Sequence, residues 1–312
     1  MNRESAIAEC GHLLRARGYE FTTPTPLTHQ RILTRRAGET ARDTRDVFGW
    51  SLPFEPDVLD VDCLALLRDA DLVDELGNGL LKSRIRFSSL GTMLFAHSAF
   101  PTSGADAVFF GPDTYRFARA VREAVHGRQV RSVMDVGAGS GAGGLFCAQL
   151  LPDLEFVLLA DINPEALAFC AANTALNRVS TAQVHGGDVL DGVDRRADLV
   201  ISNPPYLVDA AARTYRHGGG HWGGEVSLRI VEQGLDHLSE TGRLVVYTGA
   251  PVVGGRDMFL DRVVPLLSRR TRGFVYEEID PDVFGEELER TPYDQVERIA
   301  AVLLMVNATD VL

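Results

Sequence analysis

Apolar side chains recur along this 312-residue chain in two rhythms, and the change falls near Pro101. Before that point they mark short helices. From Glu4 to Arg17, Ile7, Leu13 and Leu14 with the small Ala6 and Ala8 predict a helix that Gly18 ends. The link Thr23-Pro24-Thr25-Pro26 leads to a second helix, capped by Thr28 and running through Arg36. Val58 to Leu72 predicts a third, with Leu59, Leu64, Leu66, Leu67 and Leu72 covering a buried face. Leu80 to Phe87 then alternates with partial period two after the turn signal Gly77-Asn78-Gly79, and it precedes Thr92 to His97. Helices followed by a hairpin predict a helical or winged-helix-like unit over residues 1–100. Such a unit serves nucleic-acid binding, packing or substrate recognition.

Beyond Pro101 strands alternate with helices, the signature of a largely parallel sheet covered on both faces. Strands are expected at Ser132 to Val136, Phe156 to Asp161, Ala182 to His185, Leu199 to Ser202 and Arg243 to Thr248. Helices are expected at Gly143 to Leu151, Pro164 to Leu176 and Val226 to Leu238, and two last strands at Gly273 to Ile279 and Arg298 to Val306. The reading is an α/β catalytic domain over residues 101–312.

The net charge of −12 opposes non-specific binding to a phosphate backbone. The cluster Arg31, Arg35, Arg36, Arg42 and Arg45 reads as a solvated helical face. Cys10, Cys63, Cys147 and Cys170 lack C-x-x-C spacing, which argues against a zinc site or disulfide framework and for a reducing compartment. With a polar N-terminus and no apolar run approaching the roughly 20 residues that span a bilayer, a cytoplasmic protein with no membrane contact is expected. A small molecule, peptide or protein is favoured as substrate over nucleic acid. Oligomeric state is not legible.

The candidate chemistry gathers at the strand ends. Val133-Met134-Asp135-Val136 runs into Gly137-Ala138-Gly139-Ser140-Gly141-Ala142-Gly143-Gly144, a loop whose glycines permit a sharp turn and close approach of backbone to ligand. Gly139, Gly141 and Gly144 also satisfy the G-x-G-x-x-G spacing of a dinucleotide-dependent oxidoreductase. Asp161, about 20 residues on, is placed to accept hydrogen bonds from both ribose hydroxyls of a nucleoside cofactor, dinucleotide or otherwise. Asp188, in Gly187-Asp188-Val189-Leu190, is placed to meet an adenine amino group or to serve a turn.

The fourth strand delivers Asn203-Pro204-Pro205-Tyr206 to the carboxyl edge of the sheet. A planar amide or amino nitrogen shares its lone pair with its π-system and needs acceptors that draw it towards tetrahedral geometry. The Asn203 side-chain oxygen and the Pro204 carbonyl supply two. The prolines fix φ and remove competing donors, and Tyr206 offers a flat face. The loop Tyr215-Arg216-His217-Gly218-Gly219-Gly220-His221-Trp222-Gly223-Gly224 is expected to close part of the acceptor pocket. No carboxylate or cysteine is spaced with His217 and His221 for a metal site, and none is expected.

Taken together, these residues resemble the class I S-adenosylmethionine-dependent methyltransferases, in particular the small-domain subgroup with an Asn-Pro-Pro-Tyr motif. That subgroup includes release-factor glutamine N5-methyltransferases and several adenine- and guanine-N-methyltransferases. The likeness runs from about Val108 to Val306 and implies a Rossmann-like seven-stranded sheet with S-adenosyl-L-methionine as cofactor. It implies that Gly137, Gly139 and Gly141 hold the methionine part, Asp135 lies beside its amino group, and Asp161 holds the ribose. Thr114, Ile162, Asp188, Val189 and Asn203 complete the expected cofactor contacts, with Asn203, Pro204 and Tyr206 as catalytic residues. Val108 to Tyr115 looks like the glutamine-methyltransferase segment that closes over cofactor and substrate. The family has an arginine before the proline there and this chain has Gly111, so the resemblance does not extend to release factor as acceptor. The expected activity is N-methylation of an amine or amide nitrogen. The alternatives are RNA-base N-methylation, use of the cofactor's aminobutyrate chain with release of methylthioadenosine, and a cofactor-binding regulator without turnover.

Overall fold

Caps and prolines set the first elements of the computed structural model, which describes residues 1–209, 211–270 and 273–308. Helix α1 (Arg3–Ala16) starts where the Asn2 side chain accepts from the Ser5 amide. Helix α2 (Pro26–Arg35) is capped by Thr25 with Pro26 at its first position, so the expected cap at Thr28 moves three residues upstream. After α3 (Thr44–Phe48), the long helix expected from Val58 to Leu72 is only α4 (Val61–Asp69), because Asp60 takes extended backbone and separates α4 from a short 3-10 turn at Pro56–Val58. Leu59 and Leu72 lie outside the helix and are buried all the same.

The expected strand over Leu80 to Phe87 divides. Strand β2 (Leu81–Ser83) pairs with β1 (Val73–Glu75), while β3 (Ile85–Leu90) forms a hairpin with β4 (Met93–Ser98). Of the clustered arginines, Arg36 pairs with Asp46 and Glu39, Arg42 with Glu39, and Arg45 lies over the Phe21 ring.

Helix α5 (Pro112–Val125), absent from the sequence reading, leads into β5 (Ser132–Val136), α6 (Ala142–Leu150), β6 (Phe156–Asp161), α7 (Pro164–Asn177), β7 (Ala182–Gly186) and β8 (Ala197–Ser202). Then come α8 (Glu225–Asp236), β9 (Leu238–Val253), the short β10 (Arg256–Asp257), α9 (Met258–Leu267), β11 (Phe274–Asp280) and β12 (Arg298–Asn307). The sheet runs β11-β12-β9-β8-β5-β6-β7, with β10 paired to β9. Strands β5 to β9 are parallel to one another, and β12 is antiparallel to both β9 and β11. The chain moves outward from β5 through β6 to β7, then returns to β8 on the other side of β5. That reversal leaves a crevice at the carboxyl ends of β5 and β8, where open α/β sheets bind ligands.

The N-terminal elements do not close a core of their own. Their apolar cluster takes in Ala166, Phe169, Ala172 and Leu176, all from α7. Arg3 pairs with Glu165, and Arg15 donates to the Leu176 carbonyl at 3.0 Å. Along β4, Asn173 accepts from the Ala96 amide at 2.7 Å and donates to its carbonyl at 2.9 Å, and Asn177 treats Leu94 in the same way. Two side-chain amides thus satisfy backbone groups that a further strand would otherwise take.

Candidate active site

The loop after β5 folds as its glycines require, with positive φ at Gly137, Gly139 and Gly141. The Asp161 carboxylate holds it, accepting from the Gly139 amide at 2.8 Å and from the Asn163 amide at 2.9 Å. Asp135 accepts from the Gly144 amide at 2.7 Å. A side chain at Gly143 would come within 2.9 Å of the Asp135 carboxylate, so the helix that follows presses directly on that acid.

Burial raises the pKa of Asp135 to about 7, opposed by the Gly144 amide and assisted by the Asp161 charge. Burial also raises Asp161, against the amides of Asn163, Gly139 and Ile162. Neither carboxylate has an arginine, lysine or histidine partner among the described residues. Asp135, buried without a protein cation, suits a ligand that brings a positive charge to it.

A test on the free protein follows. The native pKa of Asp135 exceeds its ordinary 3.8, so the native state binds more protons than the unfolded chain between about pH 4 and about pH 7. Its stability contribution is full below that window and lost as pH rises through it. Asp135→Asn keeps an acceptor for Gly144 and cannot ionise. Melting temperature against pH is therefore expected to fall more steeply for wild type than for Asp135→Asn across this window, and parallel curves would refute the assignment.

The crevice deepens into a cavity of about 670 Å³. Of the expected site residues, Thr114, Asp135, Gly137, Gly139, Asp161, Ile162, Asp188, Val189, Asn203, Pro204 and Tyr206 line it. Gly141 does not; it caps α6 with φ of 75° beneath the wall, packed against Leu159, Leu145 and Cys170. Ile162 stands at the rim, 59% exposed. Asp188 is half-buried and held by Arg229 at 2.6 Å.

Asn203 emerges half-buried from β8, and its side-chain amide makes no hydrogen bond to the described residues, which leaves it open to the cavity. Tyr206, expected to offer a flat face, lines the cavity and is held tightly in place. Only 6% exposed, it donates from its hydroxyl to Asp113 at 2.7 Å, and Tyr247 donates to the other oxygen of the same carboxylate at 2.9 Å. Its ring lies so close over Gly249 that any Cβ there would run into it. Burial, with the Asp113 charge, pushes both phenols up and keeps them neutral donors. The Asp113 hydrogen bond and the Gly249 contact fix the Tyr206 ring in place.

The glycine-rich loop after the tetrad is a buttress. The Gly218 amide donates to the Leu207 carbonyl at 2.8 Å, and side chains at Gly218 or Gly223 would collide with the backbone of the tetrad or of the loop itself. His217 reaches the cavity and its Nδ1 accepts from the Asp209 amide, while His221 is exposed and packs on Trp222. Phe109, Asp113 and Tyr215 fall in segments expected at the site and line the cavity, with Phe109 stacked on Tyr215; sequence reasoning missed Tyr247 and the contribution of Thr23, His29, Arg86 and Phe100 to the cavity wall.

Residues 117–253 match the family described as methyltransferase small domain. A release factor glutamine methyltransferase of Deinococcus radiodurans is 32% identical over 194 residues, covering 60% of this chain and 66% of that protein. A ribosomal protein uL3 glutamine methyltransferase of Francisella tularensis is 29% identical over 132 residues, covering 38% of this chain and 42% of its own length. Among solved structures, the tRNA m1G37 methyltransferase of M. jannaschii aligns at 16% identity with a TM-score of 0.49, over 74% of this chain and 60% of that one. The matched segments thus span less than two thirds of these relatives' lengths.

Proposed function

We propose that this chain is a class I S-adenosylmethionine-dependent methyltransferase of the small-domain group and that it methylates an amide or amine nitrogen held at Asn203. The observation that carries this reading is the uncommitted Asn203 amide at the carboxyl end of β8, sharing one cavity with two buried carboxylates that lack a protein cation. The cofactor supplies a methyl group made transferable by its sulfonium. Asp135 would meet its amino group, offsetting the buried carboxylate, and Asp161 would accept from its ribose hydroxyls.

On the acceptor side, the Asn203 side-chain oxygen and the Pro204 carbonyl take the two N–H hydrogens of a carboxamide, withdrawing the nitrogen lone pair from the carbonyl. Pegging of Tyr206 by Asp113 and packing on Gly249 hold those acceptors still, so the contribution is positioning and electrostatics. The two relatives named for glutamine methylation of proteins support an amide nitrogen as target. Among the described residues no helix is long and apolar enough to cross a membrane. We take the working compartment to be the cytoplasm, where the cofactor and such acceptors meet.

Calorimetric titration with S-adenosylmethionine and with NAD tests the cofactor, and the sulfonium is expected to bind alone. Product analysis with glutamine-containing peptides, total RNA and no acceptor then separates the reactions. S-Adenosylhomocysteine dependent on peptide supports the proposal, dependence on RNA transfers the activity to bases, and methylthioadenosine formed without acceptor replaces methyl transfer altogether. Binding of NAD with none of S-adenosylmethionine would falsify the reading.

A further inference from the structure

The N-terminal wall of the cavity carries a charge that the methyl donor does not require. Arg86, within β3, lines the cavity although the residue is only 3% exposed. Its Nε donates to the Gly49 carbonyl at 3.0 Å, and Nη2 reaches the Thr23 hydroxyl and His29 Nδ1, each at 3.4 Å. Nη1 has no acceptor among the described residues. No carboxylate pairs with Arg86 there either, whereas Arg213 and Arg216, in the same wall, are neutralised by Asp209 and Glu287.

The surroundings add no negative charge. The Arg86 guanidinium lies 5.7 Å from the Phe21 ring centroid, and His29 stacks on Phe100 at 4.1 Å. Burial and the Arg86 charge hold His29 down at about 4 and His97 well below its ordinary value, so both imidazoles are neutral at physiological pH. Arg86 itself is lowered by burial to about 10 and stays protonated. Buried arginines are ordinarily paired, because a desolvated charge without a counter-ion is costly. Here the unpaired cation borders a ligand cavity.

We propose that Arg86 receives a carboxylate of the acceptor, anchoring that end of the substrate while its nitrogen sits at Asn203. The identity of the nitrogen end rests on the methyltransferase reading; the anion site does not. A carboxylate fits better than a phosphate dianion because one guanidinium balances one negative charge, with the Thr23 hydroxyl beside it and no second unpaired cation among the described residues of the wall. A cavity of about 670 Å³ is of the size that holds small ligands, and an amino-acid-sized acceptor group beside the cofactor suits it better than a larger one.

The test uses the full chain saturated with S-adenosylhomocysteine and follows the His29 imidazole by NMR during titration with acetate, N-acetylglutamine, N-acetylglutaminamide and inorganic phosphate. Both carboxylates are expected to shift His29 saturably, and the neutral amide to leave it in place. Arg86→Gln is expected to weaken carboxylate binding about 10- to 100-fold with the affinity for S-adenosylhomocysteine unchanged. Arg86→Lys, which keeps the charge and loses the fork, is expected to weaken it less and serves alone if the glutamine variant does not fold.

Absence of a saturable His29 shift with either carboxylate in wild type overturns the proposal, as does tighter binding of phosphate. Loss of S-adenosylhomocysteine affinity in Arg86→Gln overturns the assignment to the acceptor and gives the carboxylate to the cofactor. If wild type binds neither S-adenosylmethionine nor S-adenosylhomocysteine, the methyltransferase reading fails, and the acetate titration of the free protein still decides the role of Arg86.

Discussion

Asn203→Ala is expected to slow methyl transfer by about 10²- to 10³-fold while leaving the affinity for S-adenosylmethionine nearly unchanged, the magnitude seen when one preorganised polar group is removed from a reacting centre. The separation of the two effects comes from how the residue is held. The Asn203 amide makes no hydrogen bond to the described residues, so truncation orphans no buried partner. The backbone beside it is fixed independently, by the Tyr206 hydroxyl on Asp113 and by the Gly218 amide on the Leu207 carbonyl. Single-turnover rates with the cofactor saturating, paired with calorimetry, measure both quantities. A variant that loses cofactor affinity in proportion to rate would show that Asn203 serves the nucleoside and that the acceptor lies elsewhere.

Asp161→Ala should reverse that profile. Cofactor affinity is expected to drop about 10- to 100-fold, as for loss of charge-assisted hydrogen bonds, with a smaller change in the rate at saturation. Two causes act together. The ribose loses its acceptor, and the amides of Gly139 and Asn163, which Asp161 now satisfies, lose theirs. Asp161→Asn isolates part of this, because one oxygen and most of the shape remain. If Asp161→Ala instead left affinity intact and abolished turnover, the assignment of the two strand ends would have to be exchanged.

What was legible in the sequence follows from burial. Strands Ser132–Val136 and Phe156–Asp161 are legible to the residue because central parallel strands covered on both faces become short apolar runs. Helix α5 is not, since arginines interrupt the apolar positions Phe117, Val121 and Ala124 and its start resembles a substrate loop. Helix α9 contains Pro265, which reads as a breaker. The tetrad announced itself by type and position, yet what fixes Tyr206 did not, because Asp113 and Tyr247 are distant in sequence and meet only when α5 crosses β9. Arg86 is the sharpest case. In an alternating strand a charged residue is expected to face water, but its neighbours in β3 are buried on both faces of the hairpin. Only packing reveals that this cation points inward.

The dependence of the N-terminal core on α7 limits how this protein can diversify. The helix that covers the cofactor strand β6 also satisfies the Ala96 and Leu94 backbone through Asn173 and Asn177 and completes the apolar cluster of the first hundred residues. An accessory unit from another methyltransferase therefore could not be grafted on at Pro101 alone. It would have to arrive with its own version of α7, carrying matched amides and matched apolar positions. Exchange of the N-terminal elements between relatives is thereby confined to blocks that include α7.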